Sequence, residues 1–479
     1  PANIPVLDLA YYPAERGPYN YNADPAAVGS DGFFLDPAEN WAGIMRRITT
    51  TDFEASNIEI VQFWMMDPFA ESALNGSNED SQNSTGGDLF IDLGNISEDV
   101  LRDSRKTFEN GLPPNTTGGS YSTGTSPWGV VPTTQSVVNA FAITDPNTNR
   151  YQDVGLDGLS SQEGDPIEGR TEQNFFANYV QAVSAVVTDG NALNKITNDP
   201  STDNYRFFRG ADYDGLGDVG NMLFRYKQFN GLEGNSVTDE DSPEDYPTQA
   251  STLPSSEDIN QDQNLAENES YFQYKVNIRP NEMQVGNGYI TDRVLGTHPT
   301  SGKQVYWYQF KVPIRQPDRV VNGIQDFRSI RFMRLLLNGW PQEAVLRFAR
   351  LEFVRGEWRK YNFSLETPGE GVGGDPDLTT FETAAVNIEE NGNRVPINYV
   401  VPPGIYQEVD VASTNLRNLN EQSLQLRTCN LRDGDARASF RNVSFDIRSY
   451  KKMRMFVHAE GSDPGDPLEY GDVSVFIRL

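Results

Sequence analysis

Asp326-Phe327-Arg328-Ser329-Ile330-Arg331-Phe332-Met333-Arg334 is the stretch whose reading decides the fold. It returns as Asp446-Ile447-Arg448-Ser449-Tyr450-Lys451-Lys452-Met453-Arg454-Met455, and more loosely as Ser56-Asn57-Ile58-Glu59-Ile60-Val61-Gln62-Phe63-Trp64-Met65. A turn signal and a second strand-like run follow each copy: Gly87-Asp88-Leu89-Phe90-Ile91-Asp92-Leu93, Val345-Leu346-Arg347-Phe348 and Gly471-Asp472-Val473-Ser474-Val475-Phe476-Ile477. Self-similarity of this kind points to one strand-pair unit used three times.

The surrounding sequence carries the same period. Phe272, Tyr274, Val276 and Ile278 alternate with Gln273, Lys275 and Asn277, and Tyr306, Tyr308, Phe310, Val312 and Ile314 alternate with polar or larger neighbours. Alternation of β-branched and aromatic types is the signature of half-buried strands. The apolar parity slips between Phe348 and Leu351, which predicts a bulge. Short strands with abundant turn residues give a mainly β fold of repeated, jelly-roll-like β-sandwich modules.

Residues 136–270 read differently. Phe175, Tyr179, Val180, Val183, Val186 and Val187 recur at helical spacing up to Asp189-Gly190, and Met222, Leu223, Tyr226 and Phe229 repeat the pattern up to Asn230-Gly231. Asn95 to Leu101 reads as a short capped helix. Between Lys227 and Lys275 there is no basic residue. The expected organisation is a first β module with an extended aromatic N-terminal segment (1–135), a partly helical acidic insertion (136–270), a second β-sandwich (271–365) and a third, truncated one (366–479). The chain opens on Pro1-Ala2-Asn3 and closes inside an apparent strand, so it reads as a portion of something longer.

Composition removes several functions. Thirty-nine basic against 68 acidic side chains leave a charge of −29. Nucleic acid needs a basic surface that releases counterions, so it is not an expected partner. One cysteine, Cys429, forms no internal disulfide, and two histidines, His298 and His458, leave little for an imidazole metal site. No apolar run approaches the ~20 residues of a membrane-spanning helix.

The candidate metal site is the run from Asp258 to Glu269. Asp258, Asn260, Asp262 and Glu269 occupy loop positions that supply oxygen ligands to Ca2+, and Asn264 can add its carbonyl. Gln263 stands where such a loop places glycine for its sharp turn, and a solvated acidic loop is the competing reading. Asp212-Tyr213-Asp214-Gly215 and Asp153-Val154-Gly155-Leu156-Asp157-Gly158 are weaker relatives, for which turns and helix caps explain the acids equally well.

No catalytic constellation stands out. Neither histidine has a nucleophile motif beside it, and Gly369 to Gly374 lacks the Lys-Ser/Thr of a phosphate loop. Trp307, Trp340 and Trp358 leave a second reading open: an array of carbohydrate-binding β-sandwich modules at the cell surface, with ring stacking on sugars set against plain core packing.

Several stretches resemble one family over nearly the whole chain. They are Tyr11-Tyr12-Pro13-Ala14-Glu15-Arg16-Gly17-Pro18-Tyr19-Asn20, Phe63 to Phe69, Leu93 to Asp99, Asp153 to Leu159, Tyr226 to Ser236 and Asp446 to Gly461. They resemble the SprA (Sov) family of gliding-motility and secretion proteins, the outer-membrane translocon of the type IX secretion system. The resemblance implies a soluble part of a much larger outer-membrane β-barrel that exports folded cargo. It implies the rest of the barrel, a PorV-like outer-membrane protein, a plug protein and exported cargo as partners, with no catalytic residues. Localisation at the outer membrane or cell surface follows from the same resemblance.

Overall fold

Leu335 and Leu337 are buried on one face of the strand Phe332–Asn338, which accepts a neighbour on each side. A strand with two partners is a central strand, and this one anchors the fold. The computed structural model describes residues 4–70, 83–109, 123–132, 140–161, 171–216, 222–236, 238, 251–297, 302–356, 358–361, 363–365, 379–392, 398–406, 409–410, 417–418, 421–441, 448, 450–461 and 468–478. His298 and the Gly369 to Gly374 run lie outside these residues. The chain divides into two units, Pro1–Val354 and Arg355–Leu479.

In chain order the strands of the first unit are β1 (Val6–Tyr11), β2 (Trp41–Arg47), β3 (Ile58–Met66), β4 (Gly87–Asn95), β5 (Thr123–Ser126), β6 (Gly129–Pro132), β7 (Ser270–Ile278), β8 (Ile290–Thr297), β9 (Gln304–Pro313), β10 (Arg319–Val321), β11 (Phe332–Asn338) and β12 (Ala344–Arg355). Ten of them form two five-stranded sheets, ordered β1-β12-β3-β9-β8 and β10-β7-β4-β11-β2. The pairings of β3 with β9, β4 with β7 and β4 with β11 are antiparallel. Val61, Phe63, Phe310, Val312, Leu346 and Phe348 of one sheet meet Leu89, Ile91, Tyr274, Val276 and Leu335 of the other in one core. Phe63 stacks on Phe310 at 4.8 Å between ring centroids and meets Phe348 edge-on at 5.4 Å.

This topology corrects the expected separation of first and second modules. Each sheet takes strands from both 1–135 and 271–365, so the two make one double sheet. Alternation reports which face of a strand is buried and leaves its neighbour unspecified. The bulge expected in β12 is present: inward-facing positions are even up to Phe348 and odd from Leu351, and between them Arg350 has a left-handed φ of 53°.

Among the described residues, six helices lie between β6 and β7: α1 (Pro146–Gln152), α2 (Glu172–Phe175), α3 (Ala177–Ser184), α4 (Gly190–Asn198), α5 (Ala211–Asp214) and α6 (Met222–Tyr226). The single helix expected up to Asp189-Gly190 is broken after Phe175 and ends at Ser184; Asp189 caps the next helix instead, accepting from Ala192 N at 2.8 Å. Tyr179, Val183, Val187 and Ile196 build a second core with Val28, Leu159 and Phe176. The aromatic N-terminal segment docks there, with Tyr21 stacked on Phe176 at 4.2 Å. Asn95 to Leu101 forms no helix, because Asn95 ends β4 and Glu98 turns inward to hold a neighbouring loop.

In the second unit, β13 (Arg359–Tyr361) pairs with β18 (Ala438–Phe440), β14 (Thr380–Asn387) with β17 (Gln422–Cys429), and β15 (Val409–Asp410) with β16 (Arg417–Asn418). One short helix, α7 (Ile388–Asn391), follows β14. Residues 448, 450–461 and 468–478, which hold the described part of the third copy, form no strand. Met453, Phe456, Val475 and Phe476 are exposed there. The third sandwich expected over 366–479 is thus absent among the described residues: a strand-like pattern makes a strand only when a neighbour takes up its backbone N–H and C=O groups.

Candidate functional site

Glu172, Asp203 and Glu233 come together inside the helical part of the first unit. Thr171 caps α2 through its side chain and sets Glu172 as the first helical residue, turned inward. Asp203 follows the end of α4, where its N–H bonds the side chain of Asp199. Glu233 sits in a loop and makes isolated bridges to Val154 and Asn204. Gly155, at a φ of 71°, lets its backbone run against Asp203; a Cβ there would lie 2.0 Å from a carboxylate oxygen.

One carboxylate oxygen from each of the three lies within 4.8 Å of the others, and the residues are 0, 1 and 2% exposed. Glu172 Oε2 accepts from Ser201 N at 2.8 Å, and Asp203 Oδ2 accepts from the Tyr19 hydroxyl at 2.9 Å. Glu233 Oε1 accepts from Ser160 Oγ and Ser161 N, both at 3.0 Å. Asp157, wholly buried beside them, accepts from Leu159 N at 3.0 Å and from Ser201 Oγ. Glu172 Oε1 and Asp203 Oδ1 have no hydrogen-bond partner.

Burial raises the proton affinity of Asp157, Glu172 and Asp203 well above the carboxylate range, and their neighbours' negative charges push the same way. Burial raises Glu233 to about 7. Among the described residues, no basic side chain is among the main influences on the four. Arg16 directs its guanidinium to the backbone carbonyls of Asn20, Asp199 and Pro200. An oxygen-only donor set suits a hard cation, and its closure to solvent leaves no path for a bulky substrate.

The loop singled out in the sequence is arranged otherwise. Asp258 pairs with Lys106 at 3.3 Å and accepts from Asp262 N and Gln263 N; Asn260 accepts from Asp262 N, and Asp262 from Asn264 N. Glu269 lies 3.0 Å from Arg334. Glu98, wholly buried, accepts from Asn260 N and Ala266 N and so fastens this loop from across the chain. Among the described residues, Asp258, Asp262 and Glu269 do not gather as the buried trio does. Asp212 and Asp214 pair with Arg206 and Arg225. Asp153 accepts from Gly234 N and Ser236 N.

Of the acidic runs weighed in the sequence as cation sites, the Asp153 to Gly158 turn reaches the buried cluster, through Asp157. Glu172 and Asp203 stand in no motif, and Glu233 falls within the Tyr226 to Ser236 stretch noted for its family resemblance; none of the three has a basic residue at an adjacent position. Trp340 is wholly buried with Nε1–H donating to Asp88 O at 3.0 Å, which removes it as a sugar-stacking ring. Cys429 ends β17 as a free thiol.

No helix among the described residues is long and apolar enough to cross a membrane. No curated protein matches the chain. A family profile described as motility related/secretion protein, SprA_N, matches residues 178–479, from α3 through the whole of the second unit. That match covers well over half of the sequence, and the chain belongs to the SprA_N family of motility-related secretion proteins.

Proposed function

We propose that the chain is a non-enzymatic structural portion of the outer-membrane protein-export channel of the type IX secretion system. The observation that carries this reading is the family match over residues 178–479. The fold supports it: a ten-stranded double sheet with a continuous apolar core is a rigid body suited to bracing or docking. The cluster of acids is sealed from solvent, which favours a role in holding the fold over one in turning over a substrate. The partners in this reading are the remainder of the barrel, a PorV-like outer-membrane protein, a plug protein and the exported cargo.

Capture of the tagged full-length protein from detergent-solubilised outer membranes, followed by mass spectrometry, tests the proposal. Co-recovery of the export components and cargo supports it. Recovery of the protein alone, or turnover of a glycan or peptide substrate by the purified chain, removes it.

A further inference from the structure

We infer that Glu172, Asp203 and Glu233 form a structural Ca2+ site, with Asp157 and the Tyr19 hydroxyl as supporting oxygens. The inference is independent of the secretion reading. It rests first on geometry: three carboxylates with ligand atoms within 4.8 Å of one another, drawn from α2, the turn after α4 and the bridged loop around Glu233. Opposite ligands on Ca2+, at metal distances of ~2.3–2.6 Å, stand about 4.6–5.2 Å apart, so the trio fits around one such ion.

It rests second on two unpartnered oxygens. Asp203 Oδ1 is buried with no hydrogen-bond donor, and Glu172 Oε1 has none beyond a proton that its carboxyl can share with Glu233, although the other oxygen of each carboxylate has a donor. A native fold seldom leaves a buried acceptor unmatched, and an ionised one least of all. The donors present serve the outer oxygens: Ser201 N, the Tyr19 hydroxyl, Ser160 Oγ and Ser161 N hold the carboxylates in place, as second-layer groups do around a bound ion.

The donor set selects the ion. Every candidate ligand is an oxygen, with neither imidazole nor thiolate, which favours a hard cation over zinc or copper. Mg2+ binds at about 2.0–2.1 Å in a strict octahedron and keeps several waters, which a closed pocket of side chains does not readily provide. Calcium tolerates irregular coordination by six to eight oxygens and needs less water. A bound ion would join three segments that are far apart in sequence, and so clamp the helical region against the N-terminal aromatic segment carrying Tyr19.

The test is calcium binding to the purified 479-residue chain after removal of divalent ions with EDTA. Calorimetric titration with CaCl2 should show one tight site and a higher melting temperature, with MgCl2 weaker by about tenfold or more. Glu172→Gln and Asp203→Asn should each weaken binding by at least ~10-fold, while Asp258→Asn and Asp262→Asn leave that site intact. Tb3+ provides a second measurement, since Tyr19 beside Asp203 should sensitise its luminescence and Tyr19→Phe should dim it without unfolding the chain. No calcium binding and no melting shift would overturn the inference and leave the acids sharing protons. Binding lost with Asp258→Asn but kept in Asp203→Asn would overturn it in favour of the 258–269 loop.

Discussion

Arg334 and Asp92 face each other across β11 and β4, with the guanidinium Nε 2.8 Å from a carboxylate that is wholly buried. Gln273 donates to the same carboxylate at 2.9 Å, and Arg334 also reaches Glu269 at 3.0 Å. Burial outweighs the guanidinium's pull and holds Asp92 above the ordinary carboxylate range. The pair therefore fixes register in the middle of a sheet more than it adds net stability.

Arg334→Ala should accordingly destabilise the first unit by about 3 kcal/mol, because it leaves the Asp92 charge buried and uncompensated. The double replacement Asp92→Asn with Arg334→Met should cost clearly less than the single change. Urea unfolding of the two variants checks this; equal losses would show that the charge pair itself supplies the stability.

Phe63→Ala should cost about 3–5 kcal/mol, since it opens a cavity between the Phe310 and Phe348 rings at the centre of the core. Phe63→Leu should lose less than half of that. A denaturant midpoint that hardly moves for the alanine variant would mean that the two sheets do not share one core.

Glu109 and Asp153 supply the pH dependence. Burial raises Glu109 to about 7 and Asp153 to about 8, and Glu109's charge adds to the rise at Asp153. Both folded values exceed the unfolded ones, so the native state binds more protons in that window. Stability from these groups is therefore complete below about pH 4 and declines as pH rises to about 8, at up to ~1.4 kcal/mol per pH unit for each group. Urea midpoints should fall between pH 5 and pH 8, and Glu109→Gln with Asp153→Asn should flatten the slope. A midpoint that rises over that interval in the wild type and keeps its slope in the double variant would contradict the assignment.

Arg350 carries the left-handed kink of β12. Arg350→Val should cost about 1–2 kcal/mol, because a β-branched side chain resists positive φ, whereas Arg350→Gly should be close to neutral. Thermal unfolding of the two variants separates backbone strain from loss of charge, since both remove the guanidinium.

The alternation of Phe272 to Ile278 and Tyr306 to Ile314 made these strands legible, and the parity slip at Phe348 made the kink legible. Period two encodes a buried face, and these faces are buried from Phe272 to Ile278 and from Tyr308 to Ile314, with Tyr306 left exposed. Pairing was not legible: nothing in Gly87 to Asn95 says that its neighbours are Ser270 to Ile278 and Phe332 to Asn338. The repeat at Asp446 to Met455 misled for the same reason: its described residues, 448 and 450–455, form no strand, as pattern without a partner builds no sheet. The acid cluster was hidden more deeply, because Glu172, Asp203 and Glu233 become neighbours only after three separate segments pack. The 258–269 run attracted attention through its spacing, yet Lys106, Glu98 and Arg334 engage it from other parts of the chain.

Site-specific photo-cross-linking in living cells tests the central claim most directly. Benzoylphenylalanine in place of Trp41 on edge strand β2 or Val294 on edge strand β8, both exposed, reports what this body touches in the envelope. The account predicts cross-links to the export channel or its outer-membrane partners, with secretion retained. Cross-links confined to small-molecule or polysaccharide targets, with no component of the secretion machinery recovered from either position, would contradict it.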